Sequence, residues 1–369
     1  MRSLSSTLLA AQRQASGKPY VKIEAFDRVA GVARLYFQRL YTGSEPDYYH
    51  AVTMPGDGSL IRARLDPSTY GISLQRVVSP GPGSVFSTWA GYGTSSAGAG
   101  TALCSRGANV FFFCVGLDQR TIYYKESTNY GATFTDWAQV TIAPLAVTWM
   151  AADINPGGAV ALFYVSGTAV YVSKRSGGVW SGPIVWSHSL KAISGLATAY
   201  SGDWNLAVAG QEYSDDYKVW TCIYGDGDAQ PVGTWSALAE LIRASAGSLG
   251  SFRATSLGLP DVFRMFFVEK HTGSQSYQRP LWSHSLASAS FAANLWREPV
   301  PFNLDASYGV ALTYGGGYAW LSCASGVWRA PLAPAAQELT ADVLRLAAEC
   351  RPYAGSLRAE LRNDDGRYS

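Results

Sequence analysis

Seven acidic side chains, Asp153, Glu212, Asp215, Asp216, Asp261, Glu269 and Asp305, could supply the two carboxyl groups that cleave a glycosidic bond. That chemistry needs one carboxyl as acid and another as base or nucleophile, at a separation set by the fold. Sequence spacing therefore selects no pair. His188 and His284 share the pentapeptide W-S-H-S-L, at Trp186–Leu190 and Trp282–Leu286. They read either as equivalent ligands or bases on two repeats, or as one repeated structural position whose ring bonds a backbone carbonyl. Asp57-Gly58-Ser59 and Asp226-Gly227-Asp228 start like calcium loops but lack the alternating oxygen ligands and terminal Glu, so they read as hairpin turns. Gly315-Gly316-Gly317 precedes no helix, which argues against phosphate binding, and no G-x-S-x-G nucleophile turn occurs. Tyr48, Tyr49, Tyr130, Tyr213, Tyr217 and Tyr277 fall in expected loops. Aromatic faces anchor sugars and protein partners, or simply pack a turn. As a group they favour a binding surface over a catalytic pocket.

Composition narrows the partners. The 369 residues carry 29 basic and 27 acidic side chains, a net charge of +2, with no basic run. Phosphate backbones demand concentrated Lys and Arg, so nucleic acid is not an expected partner. No stretch approaches the roughly 20 apolar residues that span a bilayer, and Leu8-Leu9-Ala10-Ala11 is too short for a signal peptide's apolar core. The expectation is a chain made without a cleaved leader and without membrane insertion. Cys104, Cys114, Cys222 and Cys323 lie in apolar runs, and Cys350 completes an odd set with no C-x-x-C spacing. Neither a metal nor a cofactor is expected; a Cys104–Cys114 disulfide is possible across neighbouring strands.

The elements that must position these groups are short strands. Aromatics make up 13% of the chain, charged residues only 15%, and glycine is abundant at 38, a composition suited to strands and tight turns. Trp89, Trp137, Trp180, Trp235, Trp296 and Trp328 each follow a turn and recur mostly near the roughly 40–50 residues of a four-stranded blade. Within one repeat, 148–153, 160–165, 170–173 and 180–186 read as successive strands. The second is almost wholly apolar, as a strand buried on both faces must be. Its counterparts are 110–115, 204–208, 262–268 and 318–322. The spacing predicts an all-β, six-bladed β-propeller, with blades near 43–95, 96–145, 146–190, 191–246, 247–302 and 303–334. A two-sheet sandwich stack is the alternative.

The expected organisation is a tail and flanking strand over 1–32, a propeller over 33–334, and a C-terminal segment over 335–369 that starts or joins a small second domain. The alternating run 33–41 would close the last blade and remove an open edge. Tyr20–Phe26 and 355–362 alternate as strands, 337–350 fits a short helix or a strand, and 91–100 reads as a flexible linker or inter-blade loop. The chain stops just after the Asn363–Gly366 turn, which suggests truncation or completion by a partner.

One turn carries a resemblance. Ser127, Asn129, Gly131, Thr133 and Phe134 form an S-x-N-x-G-x-T-F run in which Asn can bond backbone two residues on and Gly supplies a positive φ. The run resembles the Asp-box of sialidase-like β-propellers, with Asn in place of the usual Asp. The early Arg-Ile-Pro signature of sialidases is absent; Ile61-Arg62-Ala63-Arg64 lacks the Pro. Ala51–Arg64 before this turn and Leu361–Tyr368 at the end resemble tail or baseplate proteins of tailed bacteriophages and prophages. The resemblance implies a non-enzymatic component of a phage tail tip or baseplate. It would be assembled in the host cytoplasm within an oligomeric assembly of other virion proteins. Its propeller would brace the assembly or meet a host-surface glycan or protein. The alternative is a carbohydrate-binding or glycan-hydrolysing propeller.

Overall fold

The computed structural model describes residues 49–66, 68–86, 88–94, 100–187 and 311–323, together with the strands named below that lie outside these ranges. Every described regular element is a β-strand. The chain divides into two compact units, 36–330 and the pair 1–35 with 331–369.

The smaller unit contains β1 (Glu24–Ala25), and the larger begins with β2 (Gln38–Thr42). Blade 1 is β3 (Tyr49–Thr53), β4 (Leu60–Leu65), β5 (Gly71–Val77) and β6 (Ala90–Thr94). Blade 2 is β7 (Ala102–Arg106), β8 (Asn109–Val115), β9 (Thr121–Ser127) and β10 (Ala138–Ile142). Blade 3 is β11 (Val147–Ile154), β12 (Val160–Ser166) and β13 (Ala169–Ser176), with β14 (Val179–Trp180) and β15 (Ile184–Ser187) both paired to β13. Blade 4 is β16 (Ala192–Tyr200), β17 (Trp204–Gln211), β18 (Tyr217–Tyr224) and β19 (Val232–Ala237). Blade 5 is β20 (Leu249–Leu259), β21 (Val262–His271) and β22 (Ser285–Leu286). Blade 6 is β23 (Ala311–Gly315), β24 (Tyr318–Cys323) and β25 (Gly326–Pro331), with β2 as its outer strand. In the smaller unit β1 pairs β26 (Gln337–Glu338), and β27 (Val343–Arg351) and β28 (Ala354–Leu361) form a hairpin. The ambiguous run 337–350 is thus strand where it is described.

All pairings are antiparallel, and the innermost strands touch in cyclic order, β3, β7, β11, β16, β20, β23 and back to β3. That circuit of six sheets is a β-propeller. Pairing β2 with β25 joins the two ends of the larger unit in one sheet, leaving no open edge at the junction.

The second strands show why this packing holds. Along β8, Phe111, Phe113 and Val115 face blade 3 while Val110, Phe112 and Cys114 face blade 1. Along β12, Val160, Leu162 and Tyr164 face blade 2 while Ala161, Phe163 and Val165 face blade 4. Period-two alternation with both faces apolar is what a sheet stacked between two others requires. Burial of each such side chain is worth about 1.5–3 kcal/mol. The same alternation corrects the disulfide expectation: Cys104 and Cys114 are free and sit on opposite faces of blade 2. A second correction concerns 91–100, where β6 takes 90–94 as the outer strand of blade 1.

The turn after β9 is held as its residue types demand. Gly131 N–H donates to Ser127 Oγ at 2.9 Å, Thr133 N–H to Asn129 Oδ1 at 3.0 Å, and Asn129 Nδ2 to Thr133 Oγ1 at 2.8 Å. Gly131 has φ +73° and lies against Ile61 of blade 1, where a Cβ would collide with that side chain. The turn therefore pins blade 2 onto blade 1.

Candidate functional site

Lys125-Glu126-Ser127 and Lys174-Arg175-Ser176 end the third strands of blades 2 and 3, so Glu126 and Arg175 occupy matching places on neighbouring sheets. They meet across the seam. Arg175 donates through both terminal nitrogens to the Glu126 carboxylate, at 2.8 and 3.3 Å, with side chains 17% and 23% exposed. A planar fork on a carboxylate is the geometry that fixes both groups in one orientation. The guanidinium carbon lies 5.0 Å from the Phe111 ring centroid and 5.6 Å from that of Tyr124. Trp180 pairs with Arg175 in the sheet and meets Tyr124 edge-on, centroids 5.4 Å apart.

Two donors in this cluster are unsatisfied. Arg175 Nε and Trp180 Nε1 are buried and have no hydrogen-bond partner among the described residues. Leaving a buried N–H unpaired costs about 1–3 kcal/mol, a cost borne here beneath the Phe111 and Tyr124 rings while the fork itself stays partly exposed. The cluster therefore offers a partly exposed guanidinium–carboxylate fork beside the Tyr124 and Trp180 rings. A polyhydroxylated ring matches that set, because each hydroxyl both donates and accepts and the ring's C–H face packs on aromatics.

A second concave feature lies where the innermost strands end. Its lining includes Thr53, Ser105, Arg106, Asp153, Thr198, Tyr200, Thr313 and Tyr314, and it encloses about 210 Å³. The first strand of each blade runs parallel to the third, so this pocket opens on the side that carries the 127–134 turn. Arg106 Nε donates to the Ile154 carbonyl at 2.9 Å, bridging blades 2 and 3. Asp153 accepts from the backbone N–H of Ile154 at 2.8 Å and of Tyr200 at 2.6 Å, bridging blades 3 and 4. Burial raises its pKa to about 6 despite those bonds and the Arg106 charge. Beside it, burial and the Asp153 charge push the Cys104 thiol well up, so this sulfur is no nucleophile at neutral pH.

Of the residues singled out from sequence, Tyr130 is exposed at 38% with φ +60°, and its carbonyl accepts from Arg76 at 3.0 Å. Tyr49 and Tyr217 begin β3 and β18. Tyr48, Tyr213 and Tyr277 lie outside the described residues, as do His188, His284, Glu212, Asp215, Asp216, Asp261 and Asp305. Asp57 takes the N–H and hydroxyl of Ser59 in a tight turn. Among the described residues no three His, Cys, Asp or Glu side chains gather as metal ligands. Sequence reasoning missed Glu126, Arg175 and Trp180 as a group; the shared Lys-x-Ser before each turn was the available signal.

No family model matches the chain, and no curated protein does. Solved structures do. An Aleuria aurantia lectin mutant bound to Fucα1-6GlcNAc is 12% identical over 87% of this chain and 97% of its own, with TM-score 0.50. That lectin's fold is described as a six-bladed β-propeller. AofleA from Arthrobotrys oligospora is 10% identical over 92% and 94%, also at 0.50. The Hadza microbial sialidase Hz136 is 12% identical over 82% of this chain and 70% of its own, again at 0.50. At these identities the likeness is one of fold.

Proposed function

We propose that this chain is a non-catalytic carbohydrate-binding β-propeller, and that the seam between blades 2 and 3 holds the sugar. The observation that carries the reading is the partly exposed Arg175–Glu126 fork set against the Tyr124 and Trp180 rings. The likeness in fold to a lectin solved with a fucosylated sugar supports the same class of ligand. Hydrolysis would need two carboxyl groups about a bond. Among the described residues the central pocket contributes Asp153 alone, and both of its oxygens already accept backbone N–H groups. The non-catalytic glycan-binding reading thus takes precedence over glycan hydrolysis.

We place the protein on a phage tail or baseplate, facing the host surface, on the resemblance carried by 51–64 and 361–368. The test is a glycan array paired with a hydrolysis screen on the same sugars. The reading predicts binding that Arg175→Ala lowers at least about tenfold, with no sugar released. Retained binding in that variant, or turnover of a bound glycan, would overturn it.

A further inference from the structure

We propose that His50 is an acid-operated latch in the ring of blades: when its imidazole takes up a proton, the seam between blades 6 and 1 opens while blades 2 and 3 stay closed. His50 shares its face of β3 with Val52, which forms one cluster with Ala311, Trp320 and Val327 of blade 6. The imidazole is 8% exposed, and neither of its nitrogens has a hydrogen-bond partner among the described residues. A buried polar side chain left unpaired is uncommon, because it gives up its bonds to water and gains none.

The described charges around it have one sign. Arg64 is its register partner on β4, and Arg62 lies two residues along the same face. Arg62 is fixed to Gln75 of β5 and Ser322 of β24, and both guanidiniums lie over the Trp89 ring. Arg76 of β5 is turned away, to Asp57 and the Tyr130 carbonyl. The facing strands β23 and β24 carry no charged residue; their titratable groups are Tyr314, Tyr318 and Cys323. The charged residues on the outer strands of blade 6 are Arg39 and Arg329. A neutral ring is tolerated in such a place. An imidazolium needs acceptors for two N–H groups and meets two cations instead. Burial and those two arginines accordingly hold the His50 pKa well below its ordinary value.

Parting the seam gives the protonated ring its water back, and the chain is least fastened there. The pairing that closes the ring, β2 with β25, joins strands of five and six residues and is broken by a bulge between Arg39 and Tyr41. Blades 2 and 3 are held instead by β8 and β12, apolar on both faces. Asp153, which bridges blades 3 and 4, is protonated near pH 6 in the closed structure, so acid favours closure at that junction. In the opened seam His50 titrates near the ordinary 6.5, whereas in the closed one it stays neutral. The open form therefore binds the extra proton, and its population rises by up to about tenfold per pH unit below about 6.5.

The test is amide hydrogen exchange of the full chain, read by mass spectrometry at pH 7.5, 6 and 5 and corrected for the intrinsic rate at each pH. Peptides covering 49–65 and 311–323 should exchange faster as pH falls, by roughly tenfold between pH 6 and 5. Peptides covering 109–115 and 160–166 should not change. His50→Gln and His50→Leu are neutral at every pH and should remove the acid response. A gain of exchange spread evenly over all blades, or no gain at 49–65 and 311–323, would overturn the proposal on the unaltered chain alone. The same acid response in whichever of the two variants folds would also overturn it.

Discussion

The seam between blades 2 and 3 and the seam between blades 6 and 1 each set an arginine against aromatic rings, with opposite results. At the 6–1 seam Arg62 is fully buried, donates to Ser322 Oγ of blade 6 at 2.7 Å and to Gln75 Oε1 at 2.8 Å, and lies 5.0 Å from the Trp89 centroid. Arg64 lies over the same indole, 4.2 Å from the ring centroid. Apolar side chains, Val52, Leu60, Ala311, Trp320 and Val327, fill the rest of that interface. At the 2–3 seam Arg175 remains 17% exposed, is paired to Glu126, and keeps an unsatisfied Nε next to an unsatisfied indole N–H. One arginine is consumed in fastening the sheet that joins both ends of the propeller. The other is oriented by its carboxylate partner at a partly exposed edge. Burial alone does not make an arginine functional; the distinction lies in whether its bonded fork still meets solvent.

The largest effect expected from this contrast is on stability. Arg62→Ala would empty a fully buried site and remove the donor to Ser322 Oγ and Gln75 Oε1, costing on the order of 3 kcal/mol or more. Arg175→Ala should cost about 1 kcal/mol, because its partner Glu126 can turn to water. Denaturant midpoints of the two variants, with unchanged slope, measure the difference. Equal losses would erase the distinction drawn between the seams.

A smaller effect concerns pH. His50 packs beside Arg62 and Arg64, and burial, reinforced by those two charges, holds its pKa well below the ordinary value. Both ring nitrogens are buried without a partner among the described residues. Unfolded, the ring takes a proton below about pH 6.5 while the folded ring stays neutral, so the unfolded state binds more protons and stability falls as pH drops. The limiting slope is about 1.4 kcal/mol per pH unit. Asp153 works the other way. Its folded pKa near 6 exceeds the unfolded value, so between about pH 4 and 6 the folded state binds more protons and gains stability as pH falls. Replacing His50 by Leu should therefore reduce the loss of melting temperature between pH 7.5 and 5, and an unchanged loss would show that His50 is not the group responsible.

Much of the fold was legible because propeller strands carry their environment in their composition. Val110–Val115 and Val160–Val165 are apolar on both faces, and only stacking between two sheets asks for that. Ser127–Phe134 announced a turn through residues whose side chains bond their own backbone. The site was less legible. Glu126 and Arg175 are 49 positions apart and meet only because successive blades repeat the same register, a long-range fact that neither side chain signals locally. Asp153 was visible as one acid among seven, but its burial and its two backbone donors come from blades 3 and 4 packing together. The loop tyrosines drew the eye as binding groups, whereas the aromatic surface at the seam comes from Tyr124 inside a strand and Trp180 at an outer edge.

The most direct test of the account is a crystal structure with a glycan selected by binding. The prediction is a sugar ring at the 2–3 seam, with oxygens within hydrogen-bond reach of the Arg175 terminal nitrogens and of the Glu126 carboxylate. A glycan bound elsewhere, with the Arg175–Glu126 fork untouched, would contradict it.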